Sequence, residues 1–335
     1  MADAIQSREI RLASRPRGWP TVDDFTLATV DVPPPQDGQV LVRNRYMSVD
    51  PYMRGRMNDV KSYVPPFQLG QPLEGSALGE VVESRAPALK PGDFVTSTRG
   101  WRELFVAEAK ELRVVDSSIQ PITTHLSALG MTGFTAWVGL KLAELKEGDR
   151  VFVSGAAGAV GSIAGQLAKL RGSFVVGSAG SPEKVRVLLD ELGFDAAFNY
   201  KDGPVREQLK GRAPEGIDVY FDNVGGDHLE AAIWSMRDHG RIVACGSISR
   251  YNDEKPSPGP SNLFTIVTKR LTIRGFIVTD WMKERDAFVR EIAPLVTGGR
   301  LRVKETIVEG IERAPQAFLG MLRGENVGKM LVELS

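Results

Sequence analysis

The segment that decides the fold is Val151-Phe152-Val153-Ser154-Gly155-Ala156-Ala157-Gly158-Ala159-Val160-Gly161. Its first four residues form an apolar run typical of a buried strand, and residues 162–170 have the pattern of a helix. The glycines therefore lie where a strand leads into a helix N-terminus, whose unpaired amides and dipole favour a pyrophosphate. Gly158 lets the backbone approach phosphates and Gly161 lets the helix pack on the sheet, although Ala156 replaces the first glycine of G-x-G-x-x-G. A plain tight turn between strand and helix is the alternative.

The surrounding sequence favours dinucleotide binding because strand-like and helix-like segments alternate there. Apolar strand-like runs begin at Val151, Ser173, Ala196, Ile217, Arg241 and Leu271. Helix-like segments between them are Ser162–Arg171, Pro182–Leu192, Gly226–Asp238 and Trp281–Val296. Alternation of this kind predicts a parallel sheet, because parallel neighbours need a crossover connection. Six strands predict an α/β, doubly wound dinucleotide-binding domain over residues 126–298.

The two flanking regions have a different pattern. Residues 1–125 contain short β-like runs separated by proline and glycine, which predicts a compact, mostly β domain. The clearest runs are Gln39–Arg43, Leu78–Ser84 and Asp93–Ser97. Residues 299–335 return to strand-like runs around a helical segment, and we expect them to complete the first domain. These final segments are Thr306–Glu309, Ala314–Arg323 and Lys329–Leu334.

Composition excludes several classes of function. The 335 residues include 42 Lys and Arg against 42 Asp and Glu, so no net positive charge attracts nucleic acid. One cysteine, Cys245, excludes an internal disulfide framework and a cluster of cysteine ligands, and three histidines leave little material for a metal site. The charged N-terminus does not resemble a secretory signal, and the uncharged stretches 117–140 and 151–168 are interrupted by proline or glycine. We expect a soluble, cytoplasmic protein with a small-molecule substrate and neither a nucleic-acid nor a membrane partner.

The end of the second predicted strand indicates which dinucleotide binds. NAD-binding proteins place an acidic residue there to accept from the ribose 2′-hydroxyl. Here the segment GSAGS at residues 177–181 has no carboxylate, and Lys184 follows within one turn, with Arg186 as a second cation. Small residues leave room for a 2′-phosphate and a lysine can neutralise it, so the pattern favours NADPH. A solvated surface role for Lys184 is the alternative.

Several motifs in order identify a family resemblance. They are SVDPYMR (48–54), GMTGFTA (130–136), the glycine turn, GSAGS with Lys184, FNYK (198–201), YFDNVGG (220–226) and CGSIS (245–249) with Tyr251 and Asn252. With these motifs the chain resembles, nearly end to end, the zinc-independent medium-chain reductases of the leukotriene/prostaglandin reductase type. The resemblance implies a GroES-like catalytic domain interrupted by a Rossmann domain, with NADPH in the cleft between them. It also implies reduction of the C=C bond of α,β-unsaturated ketones or aldehydes.

The resemblance also assigns site residues. The pyrophosphate would be held by Gly158, Ala159, Val160 and Gly161, and the 2′-phosphate end by Lys184 and Tyr200. Asn223 would lie along the cofactor. The nicotinamide side would be lined by Cys245, Gly246, Ser247, Ile248, Ser249, Tyr251, Phe276, Ile277 and Val278, with Asn326 reaching in from the returning segment.

The sequence lacks the residues that bind zinc in the alcohol-dehydrogenase relatives of this family. Leu73 stands where their Gly-His-Glu motif has its ligand histidine, and one cysteine cannot form a four-cysteine site. A compatible metal-free reaction is hydride addition to the β-carbon of a conjugated carbonyl, which moves charge onto the carbonyl oxygen. Tyr251 matches the family position that contacts this oxygen, and a phenol is protonated at neutral pH and can donate to it. The proline-rich loop Arg250–Asn262 would close over the substrate.

Further residues are candidates for the substrate side of the site. Tyr52 is a candidate for the substrate mouth, and Met131 and Thr132 open a helix that such reductases place beside the nicotinamide, with helix-start packing as the alternative. Cys245 follows a buried strand, and we interpret it as a small residue near the cofactor with no nucleophilic role.

An NADPH:quinone reductase and a non-catalytic NADPH-binding protein remain alternative functions. The resemblance further suggests a homodimer joined through edge strands near Leu271–Val278.

Overall fold

The computed structural model describes residues 5–334. These residues form two compact units. The first contains the described residues up to Leu126 together with those from Glu305 onward, and the second is Ser127–Lys304. The chain therefore leaves the first unit once and re-enters it near its end. Within residues 5–334, no helix combines the length and apolar character needed to cross a bilayer.

The strands in chain order are β1 (Ile5–Leu12), β2 (Phe25–Val32), β3 (Gln39–Ser48), β4 (Ala77–Ser84), β5 (Phe94–Ser97), β6 (Leu104–Glu108), β7 (Arg113–Val114), β8 (Arg150–Val153), β9 (Phe174–Ala179), β10 (Ala196–Asn199), β11 (Ile217–Asp222), β12 (Met236–Ala244), β13 (Thr272–Gly275), β14 (Glu305–Glu309) and β15 (Lys329–Glu333). The α-helices are α1 (Tyr52–Arg56), α2 (Met131–Leu142), α3 (Ala159–Leu170), α4 (Pro182–Arg186), α5 (Val205–Arg212), α6 (Gly226–Ser235), α7 (Phe264–Thr268), α8 (Arg285–Thr297) and α9 (Ala314–Leu322).

The first unit is mostly β. A seven-stranded sheet has the order β14-β15-β3-β4-β5-β7, with β6 paired to β3, and β1 and β2 form a separate antiparallel pair. The returning segment completes the sheet because β15 pairs antiparallel with β3, where Leu331 lies opposite Ser48. An apolar core beneath it contains the fully buried Trp101, whose ring lies 6.0 Å from that of Phe25 and 6.1 Å from that of Phe318. Leu73 lies in the same core and is fully buried.

The second unit is a doubly wound α/β domain, as the alternating segments predict. Its six strands have the order β10-β9-β8-β11-β12-β13, and every neighbouring pair is parallel. Strand order reverses between β8 and β11, and ligands of such sheets bind at the carboxyl ends of the strands at this point. All six predicted strands of this domain are present.

Several predicted helices differ in detail from the observed ones. The segment predicted as Gly226–Asp238 ends at Ser235 because Met236 starts β12, pairs with Ile217 and is buried in the core of this unit. The segment predicted from Trp281 is a 3₁₀ helix up to Glu284, and α8 begins only at Arg285. The segment predicted from Pro182 changes from α to π geometry after Arg186. At the end of α6, burial of Met236 in the core decides the boundary, and periodicity alone does not record such burial.

Candidate active site

The glycine-rich turn lies between β8 and α3 at the carboxyl edge of the parallel sheet. Gly155 has φ +58°, a left-handed conformation that favours glycine. Gly158 precedes α3 in an extended conformation, and no side chain caps this helix end. The first amides of a twelve-residue helix therefore lie beside a residue without a side chain. This is the arrangement that a diphosphate group requires.

Gly161 and Ala156 have distinct packing roles in this turn. A Cβ on Gly161 would lie 2.5 Å from the Gly155 carbonyl oxygen and 2.8 Å from the Ala156 Cα, so α3 reaches the turn only because position 161 is glycine. Ala156 is buried, and its amide donates to the Ser178 carbonyl at 2.9 Å. A Cβ on Gly177 would lie 2.9 Å from the Ala156 methyl. The absent side chain of Gly177 thus makes room for alanine where the common pattern has glycine.

A lysine in α4 and a tyrosine that follows β10 lie near the end of β9. Ser181 caps α4 by accepting from the Lys184 amide at 3.2 Å. Tyr200 lies against Gly180, where an added Cβ would be 3.1 Å from the phenol oxygen. Lys184 is half-buried, and both its burial and the nearby charge of Lys201 lower its pKa. Two lysines and a tyrosine beside a strand end without a carboxylate fit a 2′-phosphate.

Lys201 is a member of this group that sequence reasoning did not assign. Its ammonium group lies 5.9 Å from the centre of the Tyr200 ring. The signal was present, because Lys201 directly follows Tyr200 in the FNYK motif. Arg186, the second cation named from sequence, is exposed.

Two loops at the carboxyl ends of β11 and β12 are joined by hydrogen bonds. The amides of Cys245 and Gly246 donate to the Asp222 carbonyl at 2.9 and 3.0 Å. Further along, the Ile248 amide donates to the Asn223 carbonyl at 3.2 Å. The structure therefore brings together Asn223 and the segment from Cys245 to Ser249, which the sequence assigned to one site.

Asp222 holds this pair of loops from beneath. Its Oδ1 accepts from the Tyr220 hydroxyl at 2.7 Å, the Val224 amide at 3.0 Å and the Gly225 amide at 2.8 Å. The residue is buried, and burial raises its pKa. Gly225 has φ +70°, and a Cβ there would lie 2.2 Å from the Ser247 hydroxyl oxygen. Sequence reasoning did not assign Asp222 because no pattern shows that its carboxylate turns into the protein.

Asn223 is fixed to the end of β8. Its side-chain amide donates to the Ser154 carbonyl at 2.8 Å, and its backbone amide donates to the Ser154 hydroxyl oxygen at 3.0 Å. Because β8 and β11 are neighbours in the sheet, these bonds hold Asn223 at the point where strand order reverses. A residue there is well located to contact a bound dinucleotide.

Tyr251 and Cys245 differ in chemical character. The half-buried Tyr251 has its phenol oxygen 3.3 Å from the Ser247 amide, which donates to it. Burial, with the charge of Asp222, raises the pKa of the Cys245 thiol to about 12. At neutral pH this thiol is protonated, and the thiolate needed for nucleophilic attack is scarce.

The residues at the start of α2 are engaged in packing. The Thr132 hydroxyl donates to the Ser127 carbonyl at 3.0 Å, and Thr132 is buried while Met131 is half-buried. After β13, the half-buried Phe276 packs against α2, where a Cβ on Gly139 would lie 3.3 Å from its ring. Ile277 and Val278 follow it and are also half-buried.

The first unit contains the remaining candidates, Tyr52 and Asn326. Tyr52 is the first residue of α1, and burial and the charge of Asp50 raise the pKa of its phenol. Asn326 is buried, and its side-chain amide donates to the Gly328 carbonyl at 2.6 Å. Among residues 5–334, no three His, Cys, Asp or Glu side chains are grouped so that they could hold a metal ion.

The fold and this arrangement define a dinucleotide-binding oxidoreductase with a separate β-rich unit. Residues 8–115 match a family model described as the N-terminal domain of oxidoreductase, and residues 159–293 match one described as zinc-binding dehydrogenase. Similar proteins narrow this class. The chain is 43% identical to prostaglandin reductase 1 of Bos taurus, covering 94% of this chain and 95% of that protein. It is 39% identical to the NADP(+)-dependent 2-alkenal reductase of Nicotiana tabacum, covering 100% and 99%.

A solved structure agrees with these relatives. The crystal structure of CurA from Vibrio vulnificus in complex with NADPH has a TM-score of 0.94 and 37% identity, covering 98% of this chain and 99% of that one. The chain belongs to the zinc-independent medium-chain dehydrogenase/reductase family, of the prostaglandin reductase type. This confirms the resemblance identified from the sequence.

Proposed function

We propose that the protein uses NADPH to reduce the C=C bond of α,β-unsaturated ketones and aldehydes, giving the saturated carbonyl compound. The observation that carries the proposal is the end of β9, where Lys184 and Tyr200 lie beside a segment without a carboxylate. Similarity over nearly the full chain to a prostaglandin reductase and a 2-alkenal reductase supports the substrate class. The arrangement at the end of β9 and the similar proteins together support a reductase that prefers NADPH to NADH.

In this proposal the chain's residues divide the work of holding the cofactor. Gly158, Ala159, Val160 and Gly161 receive the diphosphate at the N-terminus of α3, and Lys184 and Tyr200 receive the 2′-phosphate. Asn223 lies along the cofactor. The nicotinamide end is lined by Cys245, Gly246, Ser247, Ile248, Ser249, Tyr251, Phe276, Ile277 and Val278, with Asn326 reaching in from the returning segment. When bound, NADPH supplies the hydride for the β-carbon of the substrate.

Tyr251 contacts the carbonyl oxygen, at the end of the conjugated system opposite to the β-carbon. As the hydride reaches the β-carbon, negative charge develops on the carbonyl oxygen, and the Tyr251 hydroxyl donates a hydrogen bond to that oxygen. One proton, delivered by Tyr251 or by a water molecule, then reaches the α-carbon, so hydride and proton together saturate the bond. Tyr52 borders the mouth of the substrate site, and Met131 and Thr132 lie beside the nicotinamide. Because the substrate is already electrophilic, no side chain of the chain needs to bond to it.

We further propose a cytoplasmic homodimer. Strand β13 is an edge of the parallel sheet, its four residues are exposed, and Ile273 presents 41% of its surface to solvent. An edge strand offers unpaired backbone groups to a second copy. The proposed division is a GroES-like catalytic domain of residues 1–125 and 299–335 around a Rossmann domain of residues 126–298. Sedimentation velocity tests the dimer, and cell fractionation tests the location.

The deciding experiment adds a series of enones and enals of increasing chain length to the enzyme with NADPH or NADH. We expect NADPH consumption with saturated ketone or aldehyde as the product, identified by mass spectrometry, and at least about tenfold lower kcat/KM with NADH. A quinone is assayed in parallel, and faster turnover of the quinone would favour the quinone reductase alternative. Tight NADPH binding without turnover of any acceptor would favour the non-catalytic alternative.

A further inference from the structure

A buried lysine begins the last strand of the first unit. Lys329 is only 3% exposed, yet it is the first residue of β15. Its ammonium group donates to the Val49 carbonyl at 2.8 Å, to Asp50 Oδ1 at 3.0 Å and to the Met330 carbonyl at 3.1 Å. An ammonium group has three hydrogens to donate, and these three acceptors match that number. Lysine is seldom fully buried unless it is paired in this way.

The carboxylate of Asp50 is held from two sides. Lys329 binds one oxygen, and the Ser48 hydroxyl donates to the other. Asp50 lies between β3 and α1, two residues before Tyr52, and its negative charge contributes to the raised pKa of the Tyr52 phenol. The carboxylate is therefore both rigid and close enough to Tyr52 to affect its chemistry.

The segment that carries Asn326 is anchored by the same lysine. Asn326 starts a turn in which its side chain donates to the Gly328 carbonyl, and Gly328 has φ +69°. The Val327 amide donates to the Thr306 hydroxyl oxygen at 3.1 Å. Lys329 follows directly and ties this turn to Asp50, 279 residues earlier in the chain.

We propose that Lys329 is a positioning residue for the substrate half of the site, because its pair with Asp50 fixes the segments of Tyr52 and Asn326 together. The inference rests on the proposed function. A buried ion pair stabilises a fold little more than apolar residues of similar volume, so its use here is better explained by the geometry that it specifies. Lys329 also neutralises a carboxylate that would otherwise oppose negative charge developing on a substrate oxygen.

Four variants test this role. Lys329→Met keeps the length of the side chain but leaves Asp50 unpaired, and the double variant Lys329→Met/Asp50→Asn removes both charges. We expect kcat/KM for an enone to fall at least about tenfold in the single variant and to recover by at least about threefold in the double variant, with the NADPH dissociation constant within about twofold of wild type throughout. Ser48→Ala, which loosens Asp50 without breaking the ion pair, should show a smaller loss, and Tyr46→Phe is the control.

The pH profile separates positioning from general destabilisation. In Lys329→Met the unpaired Asp50 faces Ser48 and the Tyr52 phenol, and Tyr52 in turn feels Arg56, Tyr63 and Glu74. Protonation of the Asp50 carboxylate removes the unpaired negative charge beside Tyr52, so kcat/KM of the single variant should rise as pH falls. The double variant and the wild type should lack this rise. Equal losses of melting temperature, NADPH affinity and turnover in both Lys329 variants would instead show a purely structural lysine.

A spectroscopic measurement keeps the inference independent of activity. Protein labelled with fluorotyrosine gives a fluorine resonance for Tyr52, assigned by its disappearance in Tyr52→Phe. We expect this resonance to move in Lys329→Met and in Ser48→Ala, and to return toward its original position in the double variant. An unmoved Tyr52 resonance in folded Lys329→Met or in Ser48→Ala overturns the inference. Absence of enone turnover by the wild type overturns only the proposed function, because the resonance is measured without substrate.

Discussion

The phenol oxygen of Tyr251 lies 3.3 Å from the backbone amide of Ser247, which donates a hydrogen bond to it. Gly246 directly precedes Ser247, and an added Cβ on Gly246 would lie 3.1 Å from the same phenol oxygen. This contact fixes the phenol against the loop after β12, and Asp222 fixes that loop by accepting from its amides. An amide that donates to a hydroxyl oxygen polarises its O–H bond. The arrangement therefore prepares Tyr251 to donate to an oxygen that gains negative charge.

Tyr251→Phe tests this role because it removes only the hydroxyl. We expect kcat for an enone to fall at least about tenfold while the NADPH dissociation constant changes less than about twofold. Steady-state kinetics and fluorescence titration measure the two quantities. The control is Tyr46→Phe, whose hydroxyl donates to Glu333 at 3.0 Å in the β sheet of the first unit. Unchanged turnover in Tyr251→Phe would remove Tyr251 from the chemistry.

The choice of cofactor is tested by Ser181→Asp. An aspartate caps α4 as serine does, and it also places a carboxylate just beyond the end of β9, where it repels a 2′-phosphate and accepts from a 2′-hydroxyl. We expect the ratio of kcat/KM for NADPH to that for NADH to fall at least about tenfold. Ser181→Asn is the matched control, because it caps the helix without the charge and should keep the preference. If the ratio of kcat/KM for NADPH to that for NADH falls equally in both variants, the change comes from the altered helix cap and not from the charge.

Sequence reasoning predicted the parallel sheet well because apolar runs and glycine breaks are local signals. The run at Val151 became β8 from Arg150, and the run at Ser173 became β9 from Phe174. The glycine turn was likewise predictable, since strand, glycines and helix are consecutive in the chain. The end of α6 at Ser235 was not predictable from the sequence, because burial of Met236 in the core stops the helix.

The missed parts of the site depend on contacts between distant residues. Lys329 and Asp50 are 279 positions apart, and the lysine looks like an ordinary start of a strand. Asp222 resembles an exposed acid before a turn until the fold directs it toward Tyr220 and Gly225. Lys201 follows Tyr200 in sequence, but only folding brings its charge near Lys184. Patterns of residue types indicate which loops meet, and the pairing within those loops is set by tertiary structure.

Asp222 should give the protein a measurable pH dependence of stability. Burial raises its pKa above the ordinary value of 3.8, so the folded protein binds this proton more tightly than the unfolded chain does. Its contribution to the free energy of unfolding is therefore greatest when it is protonated, and it declines as pH rises from 3.8 through the raised pKa. We expect Asp222→Asn to lack this decline in urea unfolding measured from about pH 4 to about pH 7.

The control for this measurement is Tyr220→Phe. It removes one donor to Asp222, which raises the pKa of the carboxyl further, and it also leaves Ser154 without the 2.9 Å contact to the phenol. The variant should lose about 1–3 kcal/mol of stability and keep the pH-dependent decline, extended to higher pH. Identical pH slopes for wild type and Asp222→Asn would show that the carboxyl titrates alike in folded and unfolded chains.

Gly161→Ala tests whether close approach of α3 to its turn forms the diphosphate site. The new methyl would meet backbone atoms of Gly155 and Ala156 at 2.5 and 2.8 Å, and backbone cannot yield as a flexible side chain does. The helix start must shift, so we expect a loss of about 1–3 kcal/mol in unfolding free energy and a weaker NADPH affinity by at least about tenfold.

Gly211→Ala is the matched control, since an added Cβ in α5 meets nothing within 4 Å. That variant should be at least as stable as the wild type and bind NADPH as the wild type does, because alanine has a higher helix propensity than glycine. Wild-type NADPH affinity in Gly161→Ala would mean that the start of α3 can move without harm, and that the amides there do not hold the phosphates.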